Sequence, residues 1–154
     1  MASHELLGTR LRHLLDRLDA GVAAVYTDLG LDGFRPRYTP TLRTLATGGP
    51  SSIRDLGRAI GVTHSAASQT VAQLAKEGLV TLSPGADARQ RIVSLTPKAE
   101  SLMPLLDKEW TATSAAAAEL DAELPYPLSR LIDETLEALN RRPMHARITT
   151  AANQ

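Results

Sequence analysis

The sequence contains no cysteine, and aromatic residues make up only 3% of it. The absence of cysteine excludes disulfides, thiolate metal sites and any switch that depends on oxidising a thiol. With so few aromatic rings, the core must be built mostly from Leu, Ile, Val and Ala. No stretch approaches the roughly 20 apolar residues of a membrane span, and no apolar leader segment is visible at the start. These features predict a soluble cytoplasmic protein.

The sequence also lacks the common signatures of enzymes and metalloproteins. It has no glycine-rich phosphate loop, no nucleophile elbow and no cluster of metal ligands. No two histidines have the i, i+4 spacing of a helical zinc site. The histidines are His4, His13, His64 and His145. We therefore predict no enzymatic activity, no cofactor and no metal, with zinc sensing as a minor alternative.

Charge is distributed unevenly along a chain whose net charge is zero. Residues 35–98 carry nine Lys/Arg against three Asp/Glu. Residues 1–34 carry three Lys/Arg against five Asp/Glu, and residues 99–154 carry five against nine. A basic middle segment suits binding to a phosphate backbone, and the acidic ends suit a different role. Chance clustering of charge on a solvated surface is the alternative explanation.

Apolar periodicity predicts long helices near both ends of the chain and a helix-turn-helix followed by a hairpin in the middle. Ser52 and Thr63 have the positions of helix N-caps, with Asp55 at capping-box spacing from Ser52. Gly61 permits a tight turn, and Gly78 can end the second helix. The predicted helices cover about 5–29, 40–47, 52–60, 63–77, 97–124 and 128–141, and the predicted strands cover 79–82 and 91–95.

These elements predict a mainly α fold with a small β-hairpin (α+β). We assign residues 35–96 to a winged helix-turn-helix and residues 1–34 and 97–142 to a helical dimerisation region. The terminal helices carry apolar stripes that are too wide for a small monomer to bury, which favours dimerisation. From Pro143 onward, the chain is expected to be a flexible tail covering 143–154.

The helix that follows Thr63 has the side chains needed to read a DNA groove. A helix fits the major groove, where its first turns must present short polar groups to the base edges. The start of the preceding helix can donate to a phosphate, and arginines on the hairpin can reach a neighbouring minor groove. Asp87 could pair with one of these arginines and fix its rotamer. The candidate DNA-binding residues are Ser51, Ser52, Arg54, Thr63, His64, Ser65, Ser68, Gln69, Gln73, Asp87, Arg89 and Arg91.

At these residues, the sequence resembles the winged helix-turn-helix of the MarR (multiple antibiotic resistance regulator) family. The resemblance covers residues 52–62, 74–80 and, most closely, 87–99. The family's wing pattern is Asp-x-Arg followed by a strand that ends in Leu-Thr. This pattern is matched by Asp87, Arg89, Leu95 and Thr96. Thr81 departs from the family, because many members have a basic residue at this position.

The resemblance implies a homodimeric transcriptional regulator, in most cases a repressor, that binds double-stranded DNA at a pseudo-palindromic operator. It also implies, for some members, a small-molecule effector held between the dimerisation region and the winged domain. The candidate lining residues are His13, Arg17, Tyr26, Arg37 and Tyr38. Packing or interdomain contacts are the alternative interpretation of these five residues. The alternative function is that of a winged-helix protein-interaction module without a specific operator.

Overall fold

The computed structural model describes residues 4–153. Within them, seven helices accompany one small antiparallel sheet. The elements in chain order are α1 (Leu7–Asp28), α2 (Tyr38–Gly48), β1 (Ser51–Ser52), α3 (Ile53–Ile60), α4 (His64–Lys76), β2 (Val80–Pro84), β3 (Arg91–Leu95), α5 (Pro97–Glu123), α6 (Leu128–Arg141) and α7 (Met144–Ala152). These elements confirm the predicted mainly α fold with a small β-hairpin. The chain divides after Leu105 into two compact units, and α5 contributes to both.

The first unit is built around a helix-turn-helix backed by a three-stranded sheet. The strand order is β1-β3-β2, and β3 pairs with both neighbours. Helix α3 packs against α2 and α4, and β3 contacts α2 and α3. The apolar side chains that fill the space between these elements are almost completely buried. They include Leu42, Leu56, Val71, Leu74 and Val93. This core holds α4 and the β2–β3 hairpin in one compact body.

Three aromatic rings add a second part to this core. The Phe34 ring lies 4.5 Å from that of Tyr26 on α1 and 5.3 Å from that of Tyr38 on α2, measured between ring centroids. The Tyr26 hydroxyl lies 2.9 Å from the Thr39 hydroxyl oxygen. All three rings are buried. The cluster therefore anchors the α1–α2 connection to the C-terminal half of α1.

In the second unit, a polar clamp formed by the Asp121 carboxylate shapes the turn before α6. The carboxylate of Asp121 accepts hydrogen bonds from the backbone N–H groups of Leu128 and Ser129, at 2.8 and 3.2 Å, and from the Ser129 hydroxyl. It thereby satisfies donors at the start of α6 that have no partner within the helix. The Ser129 hydroxyl and these backbone groups hold the pKa of the Asp121 carboxyl below its ordinary value, despite the opposing effect of desolvation.

Residues 144–152, within the predicted flexible tail, form helix α7. Pro143 precedes the first helical residue, where a fixed φ suits the start of a helix. The Arg147 guanidinium donates to the carbonyl oxygens of Ala138 and Arg142, both at 3.0 Å. It therefore satisfies carbonyls at the end of α6 and ties α7 back to that helix.

The predicted elements otherwise match the structure closely, with two informative differences. Helix α2 begins at Tyr38 rather than at Pro40, because the helix runs through the proline in its first turn. Strand β1 was not predicted, because two residues are too few to show an alternating pattern. It pairs with β3 in the register Ser51↔Val93 and Ser52↔Ile92. The wing is thus joined to the residues that immediately precede α3.

Candidate nucleic-acid interface

Ser52 caps the start of α3 as the sequence predicts, although Asp55 bonds the Ser52 hydroxyl and not, as in a full capping box, the Ser52 backbone N–H. The Ser52 hydroxyl accepts from the Asp55 backbone N–H at 3.1 Å and donates to the Asp55 carboxylate at 2.8 Å. Ser52 is only 5% exposed, so its side chain serves the cap and is not available to a phosphate. This corrects its expected contribution to binding. Ser51 is half-buried, whereas Arg54 is exposed on the first turn of α3.

Close contact between α3 and α4 depends on small residues at the turn. A Cβ atom at Gly57 would come within 3.3 Å of the Val62 carbonyl oxygen and 3.4 Å of the Ala67 Cβ. Gly61 has a φ of 80°, in the left-handed region that glycine adopts without strain. The Thr63 hydroxyl then caps α4 by accepting from the Ala66 N–H at 3.1 Å. The predicted helix-turn-helix therefore forms through the residues that the sequence indicated.

Helix α4 has a buried apolar face and an exposed polar face. Ala67, Val71 and Leu74 are at most 3% exposed. The exposed residues include Thr63 at the cap, then His64, Ser65 and Gln69, while Ser68 is half-buried beside them. The polar side chains supply both hydrogen-bond donors and acceptors. The first two turns of α4 thus present the groups that direct contact with base edges requires.

Gln73 is turned toward the rest of the first unit rather than along the exposed face. It is half-buried, and its Oε1 atom accepts hydrogen bonds from the Arg37 guanidinium and from the Tyr38 hydroxyl, the latter at 3.5 Å. This arrangement differs from the expected groove-facing role of Gln73. The periodicity of α4 could not reveal the difference, since the partner residues lie more than 30 positions earlier in the sequence.

The β2–β3 hairpin presents two arginines at its end. The register runs from Val80↔Leu95 to Pro84↔Arg91. Arg89 and Arg91 are exposed, and within residues 4–153 neither guanidinium has a hydrogen-bond or ion-pair partner. The Asp87 carboxylate accepts from the backbone N–H of Arg89 at 3.1 Å. Asp87 therefore fixes the backbone of the hairpin tip, whereas the sequence had suggested that it fixes an arginine side chain.

One further cation lies beside the predicted interface and was not singled out from the sequence. Arg58 is exposed on α3, one turn after Arg54. The i, i+4 spacing of these two arginines, within the basic segment 35–98, was the available signal. Together they make the exposed side of α3 positive.

The five candidate effector-binding residues lie in different surroundings within the part of the chain that the structure describes. Tyr26 and Tyr38 belong to the buried aromatic cluster, and His13 and Arg17 are exposed on α1. Arg37 lines a cleft of about 330 Å³ between α1 and the α1–α2 connection. The other lining residues are Asp16, Asp19, Ala20, Ala23, Arg35 and Pro36. The cleft therefore has acidic residues on its α1 side and basic residues on the side of the α1–α2 connection.

Two further classes of site, metal centres and membrane-spanning helices, concern residues 4–153. No group of three or more His, Asp or Glu side chains in this part of the chain could hold a metal ion. None of the helices described above is long and apolar enough to cross a membrane.

Comparison with known proteins connects this fold with one family. Residues 32–90, which include the helix-turn-helix and the tip of the wing, match the model of the MarR family. Sequence comparison with curated proteins finds no significant match.

Solved structures share the fold at low sequence identity. The transcriptional regulator MOSR of M. tuberculosis, solved in complex with DNA, is 19% identical over 97% of this chain and 100% of that chain, with a TM-score of 0.68. A mutant of MarR from E. coli, complexed with operator DNA, is 15% identical over 88% of this chain and 94% of that chain, with a TM-score of 0.65. The regulator PcaV from Streptomyces coelicolor, in complex with its natural ligand, is 17% identical over 92% and 99%, with a TM-score of 0.62. Residues 32–90 are therefore similar to the MarR family, and the described chain shares the winged-helix fold of these solved structures.

Proposed function

We propose that this protein is a sequence-specific DNA-binding transcriptional regulator. It acts as a repressor and binds DNA as a homodimer. The observation that carries the proposal is the combination, in one compact unit, of an exposed polar face on α4 and two unpaired arginines on the wing. The first feature suits reading of base edges, and the second suits attraction to the sugar-phosphate backbone. Neither feature alone distinguishes DNA from other partners.

On α4, the proposed reading residues are His64, Ser65, Ser68 and Gln69. The Gln69 amide can both donate and accept, which is the pattern that adenine presents in the major groove. Serine side chains are short enough to let the helix axis approach the bases. Thr63 caps the helix, and its N-terminal end faces outward together with these side chains. The positive end of the helix dipole adds a favourable interaction with phosphate.

On the wing, Arg89 and Arg91 are proposed to contact the phosphates or the minor groove beside the site read by α4. Arg54 and Arg58 on α3 are proposed to contact the backbone on the other side of that groove. Ser51 contributes through its backbone at the start of α3, and Asp87 acts indirectly by shaping the tip. MOSR and the MarR mutant were solved with DNA, which supports this proposal for the shared fold.

The proposed homodimer is supported by apolar surface that a single chain leaves uncovered. Five leucines of α1 are between 38% and 56% exposed. These are Leu7, Leu11, Leu14, Leu15 and Leu18. In the second unit, Leu131, Ile132, Leu136, Met144 and Ile148 are at least 46% exposed. Pairing such faces across a two-fold axis would present two α4 helices to half-sites about 10 base pairs apart.

We further propose that a small-molecule effector releases the protein from DNA. PcaV was solved with its natural ligand, so this fold accommodates a ligand in that relative. In this chain, the cleft beside Arg35 and Arg37 is the proposed place, and its volume of about 330 Å³ suits a small molecule. Binding would weaken the complex with DNA only if the ligand favours a conformation that DNA does not.

Selection of bound sequences from random duplexes, followed by affinity measurements over a range of salt concentrations, tests the function. A regulator of this kind should yield a palindromic consensus, with affinity that falls steeply as salt increases. Arg54→Ala should weaken binding to all duplexes, whereas Gln69→Ala should relax the preference at one base pair in each half-site. A folded protein that selects no consensus would contradict the proposal and favour the protein-interaction alternative.

A further inference from the structure

The link between Gln73 and the α1–α2 connection reaches α4 from outside the helix-turn-helix. Gln73 lies near the C-terminal end of α4, and its acceptor atom is shared by the Arg37 guanidinium and the Tyr38 hydroxyl. A hydrogen bond from a guanidinium is stronger than one between neutral groups. This contact therefore constrains α4 directionally at the end opposite to its Thr63 cap.

The other end of the link is held firmly. Tyr38 is 2% exposed, and its ring packs against that of Phe34, which in turn packs against Tyr26. Tyr26 is 1% exposed, and its hydroxyl pairs with that of Thr39. The donors to Gln73 thus come from a segment that the aromatic cluster anchors to α1.

Polar groups also hold the residues just beyond α4, where the Lys98 ammonium donates to the Glu77 carbonyl oxygen at 2.8 Å and the Thr96 hydroxyl donates to the Gly78 carbonyl oxygen at 2.6 Å. Ala67, Val71 and Leu74 form the buried face of α4, and apolar contact has no directional preference. Thr63 and Gln73 are separated by ten residues, or about 15 Å along the helix axis. A helix held by polar groups at Thr63 and at Gln73 cannot easily slide or rotate against the apolar side chains on which it packs. Recognition of bases needs a helix in a fixed orientation, because hydrogen bonds weaken steeply when their angles are poor.

We propose that Arg37 and Gln73 are positioning residues that set the orientation of α4 on DNA without themselves contacting DNA. The inference rests on the proposed function and deepens it, because it separates residues that read bases from residues that aim the helix. It predicts that loss of the link lowers affinity for the preferred site more than affinity for an unrelated duplex. Non-specific binding depends on phosphate attraction, which tolerates a helix that is slightly misplaced.

The test measures the affinity of Arg37→Ala, Gln73→Ala and the double variant for the selected operator and for an unrelated duplex. Each single variant should bind the operator about tenfold more weakly, because a misoriented α4 makes poorer hydrogen bonds to the base edges in both half-sites. The double variant should be no weaker than either single one, because both remove the same contact. The affinity for the unrelated duplex should stay as in the unaltered protein. The identity of the preferred base sequence should also stay the same.

The salt dependence distinguishes positioning from direct contact by Arg37. A phosphate contact would reduce the slope of log affinity against log salt by about 0.9 for each copy removed, whereas a positioning residue leaves the slope unchanged. Gln73→Glu retains an acceptor for Arg37, and it should bind the operator more tightly than Gln73→Ala does. This variant also keeps the test valid if Gln73→Ala is unstable.

Three results would overturn the inference: additive losses in the double variant, a reduced salt slope for Arg37→Ala, or an altered base preference for Gln73→Ala. Failure of the proposed function would look different, because the unaltered protein would then show no preferred sequence at all. Gln69→Ala is the matched control, since it removes the same side chain from the exposed face of the same helix and should change base preference.

Discussion

Arg89→Ala is the substitution that tests the proposed interface most directly. Arg89 lies at the exposed end of the wing, and its guanidinium has no partner within residues 4–153. The contact that orders the tip, from the Arg89 backbone N–H to the Asp87 carboxylate, does not involve the side chain and survives the change. We therefore expect the free energy of unfolding to change by less than about 0.5 kcal/mol.

The effect on DNA binding follows from the dimer. One exposed contact from a guanidinium to a phosphate or groove edge contributes about 1 kcal/mol, so that two copies contribute about 2 kcal/mol, or about 30-fold in affinity. If both contacts are to phosphates, the slope of log affinity against log salt should fall by about 1.8. Fluorescence anisotropy with a labelled operator at several salt concentrations measures both quantities.

The matched control is Arg130→Ala, which removes the same charge from an exposed position on α6. Arg130 pairs with Glu134 at 2.7 Å, and an exposed i, i+4 pair of this kind contributes little to stability. This variant should bind the operator as the unaltered protein does. If Arg89→Ala also retains full affinity and the full salt slope while remaining folded, then the wing does not contact DNA and the proposed interface is wrong.

Three further changes test the local structure. Ser52→Ala removes the cap of α3 and should lower the free energy of unfolding by about 1 kcal/mol, measured by urea denaturation; an unchanged midpoint would show that the bond to Asp55 adds nothing. Gly78→Ala places a side chain at a φ of 71° and should cost about 1 kcal/mol, read as a lower melting temperature; a rise would contradict the strain. The depressed pKa of Asp121 means that its clamp stabilises the fold above the carboxyl's unfolded-state pKa, and that this contribution is lost as pH falls through the lower folded-state pKa. Asp121→Ala should therefore be less stable than the unaltered protein at neutral pH, with the difference disappearing in acid; a difference that does not depend on pH would mean that the charge is unimportant.

Much of the first unit could be predicted because its signals are local. The caps at Ser52 and Thr63, the glycine turn and the wing pattern each depend on residues within a few positions of one another. The apolar period also identified the buried face of α4 correctly, at Ala67, Val71 and Leu74. In these cases, local preference and tertiary packing favour the same structure.

The errors arose where distant residues decide the outcome. Gln73 has the polarity of a reading residue, but its neighbours in space are Arg37 and Tyr38, which no local pattern identifies. The two tyrosines considered for an effector pocket are buried in the aromatic cluster, which agrees with the packing alternative that the sequence left open. Helix α7 was missed because its stability depends partly on contacts from Arg147 to carbonyls at the end of α6.

The pairing of β1 with β3 has a mechanical consequence for adaptation to different operators. Ser52 is at once a strand residue opposite Ile92 and the cap of α3, so it forms a joint that belongs to both the wing and the helix-turn-helix. Such a joint has no spare linker in which a hinge could form. A protomer therefore has little freedom to change the angle between its wing and α4 when the shape of the groove varies. Tolerance of altered half-site spacing would have to come from deformation of the DNA or from movement of whole protomers.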